Sequence, residues 1–229
     1  DGEVVGLVGE SGSGKSMTAL GIMGLLPHTA EVMSGEILLD SRNLLAKSAQ
    51  EMRNLRGRDI SMIFQEPMTS LNPTMKVGKQ LMEVFAVHSE KYLKDEAQNK
   101  VLEVLKSVGL NDSRRVFDSY PHELSGGMRQ RAMIAMAMLL RPKLLIADEP
   151  TTALDVTVQK QILDMLIELK EREGGQKMSI LFITHDLELA RHFCDRIAVM
   201  KDGAIVEQGE AARVMDEPSH EYTKRLIEA

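Results

Sequence analysis

The sequence predicts an α/β fold: a mostly parallel sheet covered by helices, an inserted helical subdomain and a small antiparallel β portion. Apolar strand-like runs alternate with segments of helical periodicity along most of the chain, as expected for parallel strands joined by helices. A glycine-rich loop joins the first strand to the first helix. Near the end, Asp202-Gly203 separates two short apolar runs, which is a hairpin signal.

The elements can be placed along the chain from their periodicity. Strands are expected where apolar residues run together or alternate with polar ones, and helices where they recur every three or four positions. The predicted strands cover residues 4–8, 35–40, 58–64, 143–149, 179–184, 195–200 and 204–208. The predicted helices cover residues 17–26, 77–108, 156–172 and 187–193, followed by a short helical tail. A further long helix is predicted to begin in the loop 124–128 and to run to residue 140.

The composition limits the classes of function. A chain of 229 residues with 43% hydrophobic content can form one substantial core. Its 34 acidic and 28 basic side chains give a net charge of −6, so no nucleic-acid partner is expected. The longest apolar run, residues 132–140, is well below the roughly 20 residues that span a bilayer. The lone Cys194 excludes an internal disulfide framework and is expected to be a buried thiol.

The glycine-rich loop has the pattern of a phosphate-binding loop. Glycine, four residues, glycine, lysine and serine follow a strand-like run and precede a helical one, so backbone N–H groups and the helix dipole can face one anion. Lys15 would contact the β- and γ-phosphates, and Ser16 would offer its hydroxyl to Mg²⁺. A flexible Gly/Ser turn is the alternative, and the placement of Lys15 and Ser16 argues against it. The predicted nucleotide-binding residues here are Gly9, Glu10, Ser11, Gly12, Ser13, Gly14, Lys15, Ser16 and Met17.

Two carboxylates, Asp148 and Glu149, end an apolar strand-like run. The carboxyl end of that strand is expected beside the phosphate loop, and adjacent strand residues point in opposite directions. Asp148 would hold Mg²⁺ through its water shell. Glu149 would orient or deprotonate the water that attacks the γ-phosphorus. The alternative is a solvated helix N-cap before Pro150.

A second loop places a hydroxyl and two glycines, Ser125, Gly126 and Gly127, at the predicted start of a helix. Such a helix start can hold an anion, but without a lysine it would not neutralise the charge fully. A plain N-cap by Ser125 is the alternative, and the two interpretations are compatible.

Taken together, the motifs resemble those of the nucleotide-binding subunits of ATP-binding cassette (ABC) transporters. Six motifs stand in the family's order along nearly the whole chain: Gly9 to Ser16, Gln65, Leu124 to Gly127, Asp148-Glu149, Ala153-Leu154-Asp155 and His185. The resemblance implies a P-loop NTPase fold and a single ABC ATPase cassette over residues 1–229. Within it, residues 1–70 and 141–229 would form a RecA-like core with the β portion. Residues of about 71–140 would form the helical subdomain that carries the signature motif.

The resemblance also implies roles by position, with ATP and Mg²⁺ as cofactors. Gln65 would contact Mg²⁺ and the attacking water, near the place where the transmembrane partner docks. The signature at 125–127 would cap ATP held on the loop of a second cassette in a head-to-tail dimer. Asp155 would link the two sites. His185 would contact the γ-phosphate and support Glu149.

The local sequences at 65–73, 122–131 and 220–223 resemble those of the oligopeptide, dipeptide and nickel importer branch, with Met128 where glutamine is usual. This implies a peripheral ATPase at the cytoplasmic face of the membrane, taking part in uptake of peptides, nickel or a metal chelate. Its partners would be a second cassette, identical or paralogous, transmembrane permease subunits and, indirectly, an extracytoplasmic solute-binding protein. The alternatives are an ABC ATPase of DNA repair or translation and the ATPase of an exporter.

Overall fold

The structure, a computed structural model, describes residues 2–64, 71–88, 93–151, 156–171 and 177–228. The strands are β1 Val4–Val8, β2 Leu38–Leu39, β3 Arg42–Asn43, β4 Ile60–Ile63, β5 Leu144–Asp148, β6 Ser179–Thr184, β7 Arg196–Lys201 and β8 Ala204–Glu210. The α-helices are α1 Lys15–Met23, α2 Ala49–Leu55, α3 Val77–His88, α4 Lys94–Ser107, α5 Ser113–Asp118, α6 Gly126–Met138, α7 Val156–Glu171, α8 Leu187–Phe193, α9 Ala211–Asp216 and α10 Glu221–Glu228.

The chain divides into two compact units. The first comprises Asp1–Arg56, Ile146–Asp148 and Ser179–Ala229, and the second comprises Gly57–Leu145 and Glu149–Met178. The division passes through β5, whose first residues belong to the second unit and whose last residues belong to the first.

The first unit is built on a mostly parallel sheet. Its strand order is β5, β6, β1, β7 and β8, and β1 runs parallel to both β6 and β7. β8 is antiparallel to β7, with an irregularity at Val199 and Met200. The turn between them has φ values of 48° at Asp202 and 82° at Gly203, as a type I′ hairpin turn requires. These observations confirm the α/β prediction and the hairpin.

The core of the first unit lies around β1. Helix α8 packs on β1 and β6, and the rings of Phe182 and Phe193 lie 4.7 Å apart between centroids. A Cβ added to Gly6 would lie 2.9 Å from the Cys194 sulfur, so glycine allows this close packing. Burial, with the nearby charge of Asp195, raises the pKa of Cys194 to about 12. The predicted buried thiol is confirmed.

The second unit is mainly helical. β4 neighbours β5, α6 packs on β4, and α3, α4 and α5 pack against one another. Leu81, Leu105 and Ile134 are fully buried at the centre of these helices. The predicted helical stretch 77–108 contains two helices, α3 and α4. None of the helices in the described ranges combines the length and apolar character that a membrane crossing requires.

Helix boundaries depend on caps that periodicity alone does not show. Helix α1 begins at Lys15, before the predicted position, because Gly14 takes a left-handed conformation as its N-cap. It ends at Met23, with Gly24, also left-handed, as its C-cap. There the Arg56 guanidinium donates to the carbonyls of Met23 at 2.7 Å and Gly24 at 2.8 Å. The predicted range 17–26 was therefore wrong at both ends by a few residues.

Helix α2 was not predicted, although the sequence contains its signal. Ser48 and Glu51 form a capping box: the Glu51 N–H donates to Ser48 Oγ at 3.3 Å and the Ser48 N–H donates to the Glu51 carboxylate at 2.9 Å. This pairing satisfies two amides at the helix start.

The start of α10 is anchored by Glu207 of β8, a carboxylate that is only 7% exposed. It accepts hydrogen bonds from the N–H of Ser219 at 2.8 Å, from the Ser219 hydroxyl at 2.7 Å and from the N–H of His220 at 3.0 Å. Burial opposes the charged form, but the neighbouring Thr223 hydroxyl and the Ser219 and His220 donors outweigh it and lower the pKa of Glu207 to about 2.

We expect Glu207→Gln to destabilise the chain in a pH-dependent way. Because the folded-state pKa lies below the ordinary value of 4.5, the carboxylate contributes stability above about pH 4.5. That contribution is lost as the pH falls toward about 2. At neutral pH the variant should lose about 2 kcal/mol in free energy of unfolding, measured by urea denaturation from pH 3.5 to 7.

The control is Glu217→Gln, which removes an exposed carboxylate and should leave the pH profile unchanged. A difference between wild type and Glu207→Gln that stays constant from pH 7 down to 3.5 would contradict the assignment of this anchoring role to the charge.

Candidate functional site

The loop after β1 is closed by its own backbone. The Ser13 N–H donates to the Glu10 carbonyl at 3.2 Å, and the Thr18 N–H donates to the Gly14 carbonyl at 2.9 Å. Gly12 and Gly14 have φ values of 83° and 108°, in the left-handed region that favours glycine. The chain therefore curls directly into the first turn of α1, where backbone N–H groups lack intrahelical partners and can bind an anion.

The β7–β8 hairpin supports this loop. The Gly203 N–H donates to the Ser13 carbonyl at 2.9 Å. A Cβ added to Gly9 would overlap the carbonyl oxygen of Met200. The first glycine of the motif is therefore required by a backbone contact with β7, a strand almost two hundred positions later in the chain.

Lys15 lies inside the loop and is only 6% exposed. Its Nζ donates to the carbonyls of Gly9 at 2.8 Å and Glu10 at 2.9 Å. A buried ammonium group requires such polar partners, and these hold the positive charge against the backbone of the loop.

The hydroxyl of Ser16 and the carboxylate of Asp148 meet at this loop. Ser16 Oγ donates to Asp148 Oδ1 at 3.3 Å, and Asp148 is only 5% exposed. Hydroxyl and carboxylate oxygens are the ligands that Mg²⁺ prefers, so this pair fits the predicted metal position. Ser13 Oγ is buried without a hydrogen-bond partner among the described residues, which also fits a polar ligand at the loop.

The ends of three neighbouring strands in the first unit bring these residues to one edge. Asp148 ends β5, His185 follows β6, and Gly9 follows β1. Val8 of β1 pairs with Thr184 of β6, so His185 and Gly9 leave the sheet side by side. His185 is exposed. This edge is where α/β sheets bind ligands.

Glu149 belongs to the second unit and has a φ of 44°. The left-handed region is uncommon for residues other than glycine and is frequent at functional sites. The following carbonyl, of Pro150, accepts a hydrogen bond of 2.5 Å from Gln130 Nε2, and Gln130 is only 1% exposed. The sequence analysis did not single out Gln130, which lies between Arg129 and Arg131 in α6, and no local pattern distinguishes it.

Ser125 is the N-cap of α6. Its Oγ accepts a hydrogen bond from the Met128 N–H at 3.3 Å, so the N-cap interpretation is confirmed. Ser125 is exposed, and a Cβ added to Gly126 would contact nothing within 4 Å. The start of α6 is accessible, while an anion-binding role for 125–127 stays a prediction.

The predicted site also includes Met17, Gln65 and Asp155. Met17, in the first turn of α1, is 43% exposed. Gln65 and Asp155 lie outside the described residues. Among the residues that are described, no group of three or more His, Cys, Asp and Glu side chains could hold a metal ion.

Comparisons with known proteins show the family to which the chain belongs. The sequence pattern of the ABC transporter family matches residues 1–152. The chain is 54% identical over 229 residues to the peptidoglycan transport ATP-binding protein YejF of Agrobacterium fabrum, covering 100% of this chain and 41% of that protein. It is 51% identical over 226 residues to the dipeptide transport ATP-binding protein DppD of Haemophilus influenzae, covering 99% of this chain and 67% of that protein. The chain thus spans between about two fifths and two thirds of the length of these relatives.

Among solved structures, the fold is similar to the dimeric ATP-binding cassette MJ0796 in a post-hydrolysis state bound to ADP and Pi. The TM-score is 0.76 at 28% sequence identity, over 92% of this chain and 86% of that chain. A glycine-rich loop at the edge of a mostly parallel sheet defines a nucleotide-binding α/β protein. The chain belongs to the ABC transporter family as one of its ATP-binding domains, which confirms the resemblance found in the sequence.

We expect Gly9→Ala to weaken nucleotide binding by at least about tenfold and to lower the free energy of unfolding by about 1–3 kcal/mol, because the added methyl overlaps the Met200 carbonyl and overpacking costs this much. Titration with a fluorescent ATP analogue and urea denaturation measure the two effects.

The matched control is Gly21→Ala in α1, where an added Cβ contacts nothing within 4 Å. Alanine in a helix interior is favoured over glycine by up to about 1 kcal/mol, so this variant should be equally or more stable and should bind nucleotide normally. Wild-type affinity in Gly9→Ala would contradict the required close approach.

Proposed function

We propose that this chain is the ATP-hydrolysing subunit of an ABC importer that takes up peptides or a related small solute, such as nickel or a metal chelate. The observation that carries the proposal is the distance of 3.3 Å between Ser16 Oγ of the phosphate loop and Asp148 Oδ1 at the end of β5. The names of the dipeptide and peptidoglycan transport relatives support the peptide class of solute.

ATP binding would use the first unit. The loop amides and Lys15 would contact the phosphates, with Lys15 leaving the carbonyls of Gly9 and Glu10 that it contacts here. Ser16 and Asp148 would hold Mg²⁺, joined by Gln65. The ion, when bound, supplies positive charge against the phosphate oxygens.

Hydrolysis would use Glu149 as the base. Its carboxylate would accept a proton from water while the water oxygen forms a bond to the γ-phosphorus and the bond to the β-γ bridging oxygen breaks, releasing ADP and phosphate. His185 would contact the γ-phosphate and support Glu149. Glu149 has a left-handed φ of 44°, a conformation that clusters at functional sites in residues other than glycine. This supports the role proposed for Glu149.

A second cassette, identical or paralogous, would complete each site. Ser125, Gly126 and Gly127 would face the nucleotide on the partner's phosphate loop, and Asp155 would link the two sites. The accessible start of α6 and the dimeric assembly of the cassette MJ0796 support this arrangement. ATP binding would close the dimer and hydrolysis would reopen it.

The pair of cassettes would act at the cytoplasmic face of the membrane. Its partners would be transmembrane permease subunits, contacted near Gln65 and the helical subdomain of about 71–140, and indirectly an extracytoplasmic solute-binding protein. The net charge of −6 argues against nucleic acid as a partner. The transport names of the relatives favour this proposal over a DNA-repair, translation or exporter ATPase.

We expect Glu149→Gln to bind Mg·ATP with wild-type affinity and to hydrolyse it about 10²- to 10⁴-fold more slowly, the usual contribution of a general base. An ATP-bound dimer should accumulate on size-exclusion chromatography. Glu188→Gln, which removes a carboxylate exposed on α8, serves as the control with normal turnover. Normal turnover in Glu149→Gln would exclude this residue as the base.

For the transport role, we expect cells that lack this chain to lose uptake of labelled di- and tripeptides. Expression of the wild-type protein should restore uptake, and Lys15→Ala should not, since it removes the loop's positive charge. Lys47→Ala, which removes a half-buried lysine paired with Glu51 and distant in sequence from the loop, should restore it. Normal peptide uptake together with loss of ⁶³Ni²⁺ uptake would reassign the solute, and no loss of either would reject the importer.

A further inference from the structure

The C-terminal helix α10 places one side chain on the phosphate loop. The Tyr222 hydroxyl accepts a hydrogen bond from the Glu10 N–H at 3.2 Å, across 212 positions of sequence. Tyr222 is only 6% exposed. Residues 220–223 marked the importer branch in the sequence, but none of the binding or hydrolysis steps above uses them.

Glu10 contacts two other residues of the phosphate loop. Its carbonyl accepts hydrogen bonds from Lys15 Nζ at 2.9 Å and from the Ser13 N–H at 3.2 Å. Because the Glu10 N–H donates to the Tyr222 hydroxyl, both the N–H and the carbonyl of Glu10 have hydrogen-bond partners. The tyrosine hydroxyl therefore fixes the orientation of a residue that contacts both the lysine and the turn of the loop.

Tyr222 is itself held from two directions. The Tyr222 N–H donates to His220 Nδ1 at 3.0 Å, and the N–H of His220 donates to the buried carboxylate of Glu207. On the other side, Lys201 Nζ lies 5.2 Å from the centroid of the tyrosine ring, a distance at which a cation is attracted to an aromatic face. The hydroxyl is thus presented to the loop by an ordered segment.

We propose that Tyr222 is a positioning residue of the nucleotide site, which orients the Glu10 peptide so that the loop is ordered before ATP binds. The inference rests on the proposed function, because it concerns binding of the same nucleotide. A loop that is already ordered loses less conformational entropy on binding, so the hydroxyl raises nucleotide affinity without contacting the nucleotide.

The test is Tyr222→Phe in the full chain, which removes the hydroxyl and keeps the ring on Lys201. Loss of this hydrogen bond should raise the Kd for a fluorescent ATP analogue about three- to tenfold. The matched control is Tyr120→Phe, the same change in the second unit, where the ring stacks on His122. It should leave the Kd unchanged.

Hydrogen exchange in the absence of nucleotide separates positioning from general stability. We expect faster exchange at the amides of residues 10–13 in Tyr222→Phe, with β1 and α1 as protected as in the wild type. Equal acceleration throughout β1, α1 and the loop would mean a purely structural role and would overturn the proposal. An unchanged Kd with unchanged exchange would overturn it as well. Failure of the wild-type chain to bind the ATP analogue would instead count against the proposed function.

Discussion

The phosphate loop depends on a backbone contact: Gly9 lies against the Met200 carbonyl so closely that no Cβ fits between them. The turn between β7 and β8 supplies the Gly203 N–H, which donates to the Ser13 carbonyl. Since β7 is parallel to β1 and β8 returns antiparallel to it, the sheet places the hairpin directly beside the loop. The position of Lys15, and of the amides that begin α1, follows from this support.

Most of the sheet could be predicted because its signals are local. The strand 179–184 and the helix 187–193 have the predicted bounds, since each is an apolar run or periodic segment between clear polar breaks. The Asp202-Gly203 turn was equally predictable from the sequence, because few residue types adopt the two positive φ values that it needs. The meeting of Ser16 and Asp148 followed from two motifs and the rule that parallel strands present their carboxyl ends at one edge.

What could not be predicted depends on contacts distant in sequence. Nothing near position 222 indicates that its hydroxyl contacts Glu10, and nothing near position 130 indicates that its amide contacts the Pro150 carbonyl. Nor does local pattern show that the chain changes units between Asp148 and Glu149. The proposed metal ligand and the proposed base are adjacent in sequence but belong to different units.

The supports of the loop matter because glycine is the most flexible residue. Ordering the backbone of each residue costs about 1–2 kcal/mol, and glycine is at the unfavourable end of that range. A loop with three glycines between positions 9 and 14 would therefore bind phosphate weakly if ATP had to order it. Contacts from Met200, Gly203 and Tyr222 order the loop when the chain folds. ATP then has less of the loop to order when it binds. All of these contacts come from the last thirty or so residues described, so the order of a loop around position 12 depends on residues about two hundred positions later in the sequence.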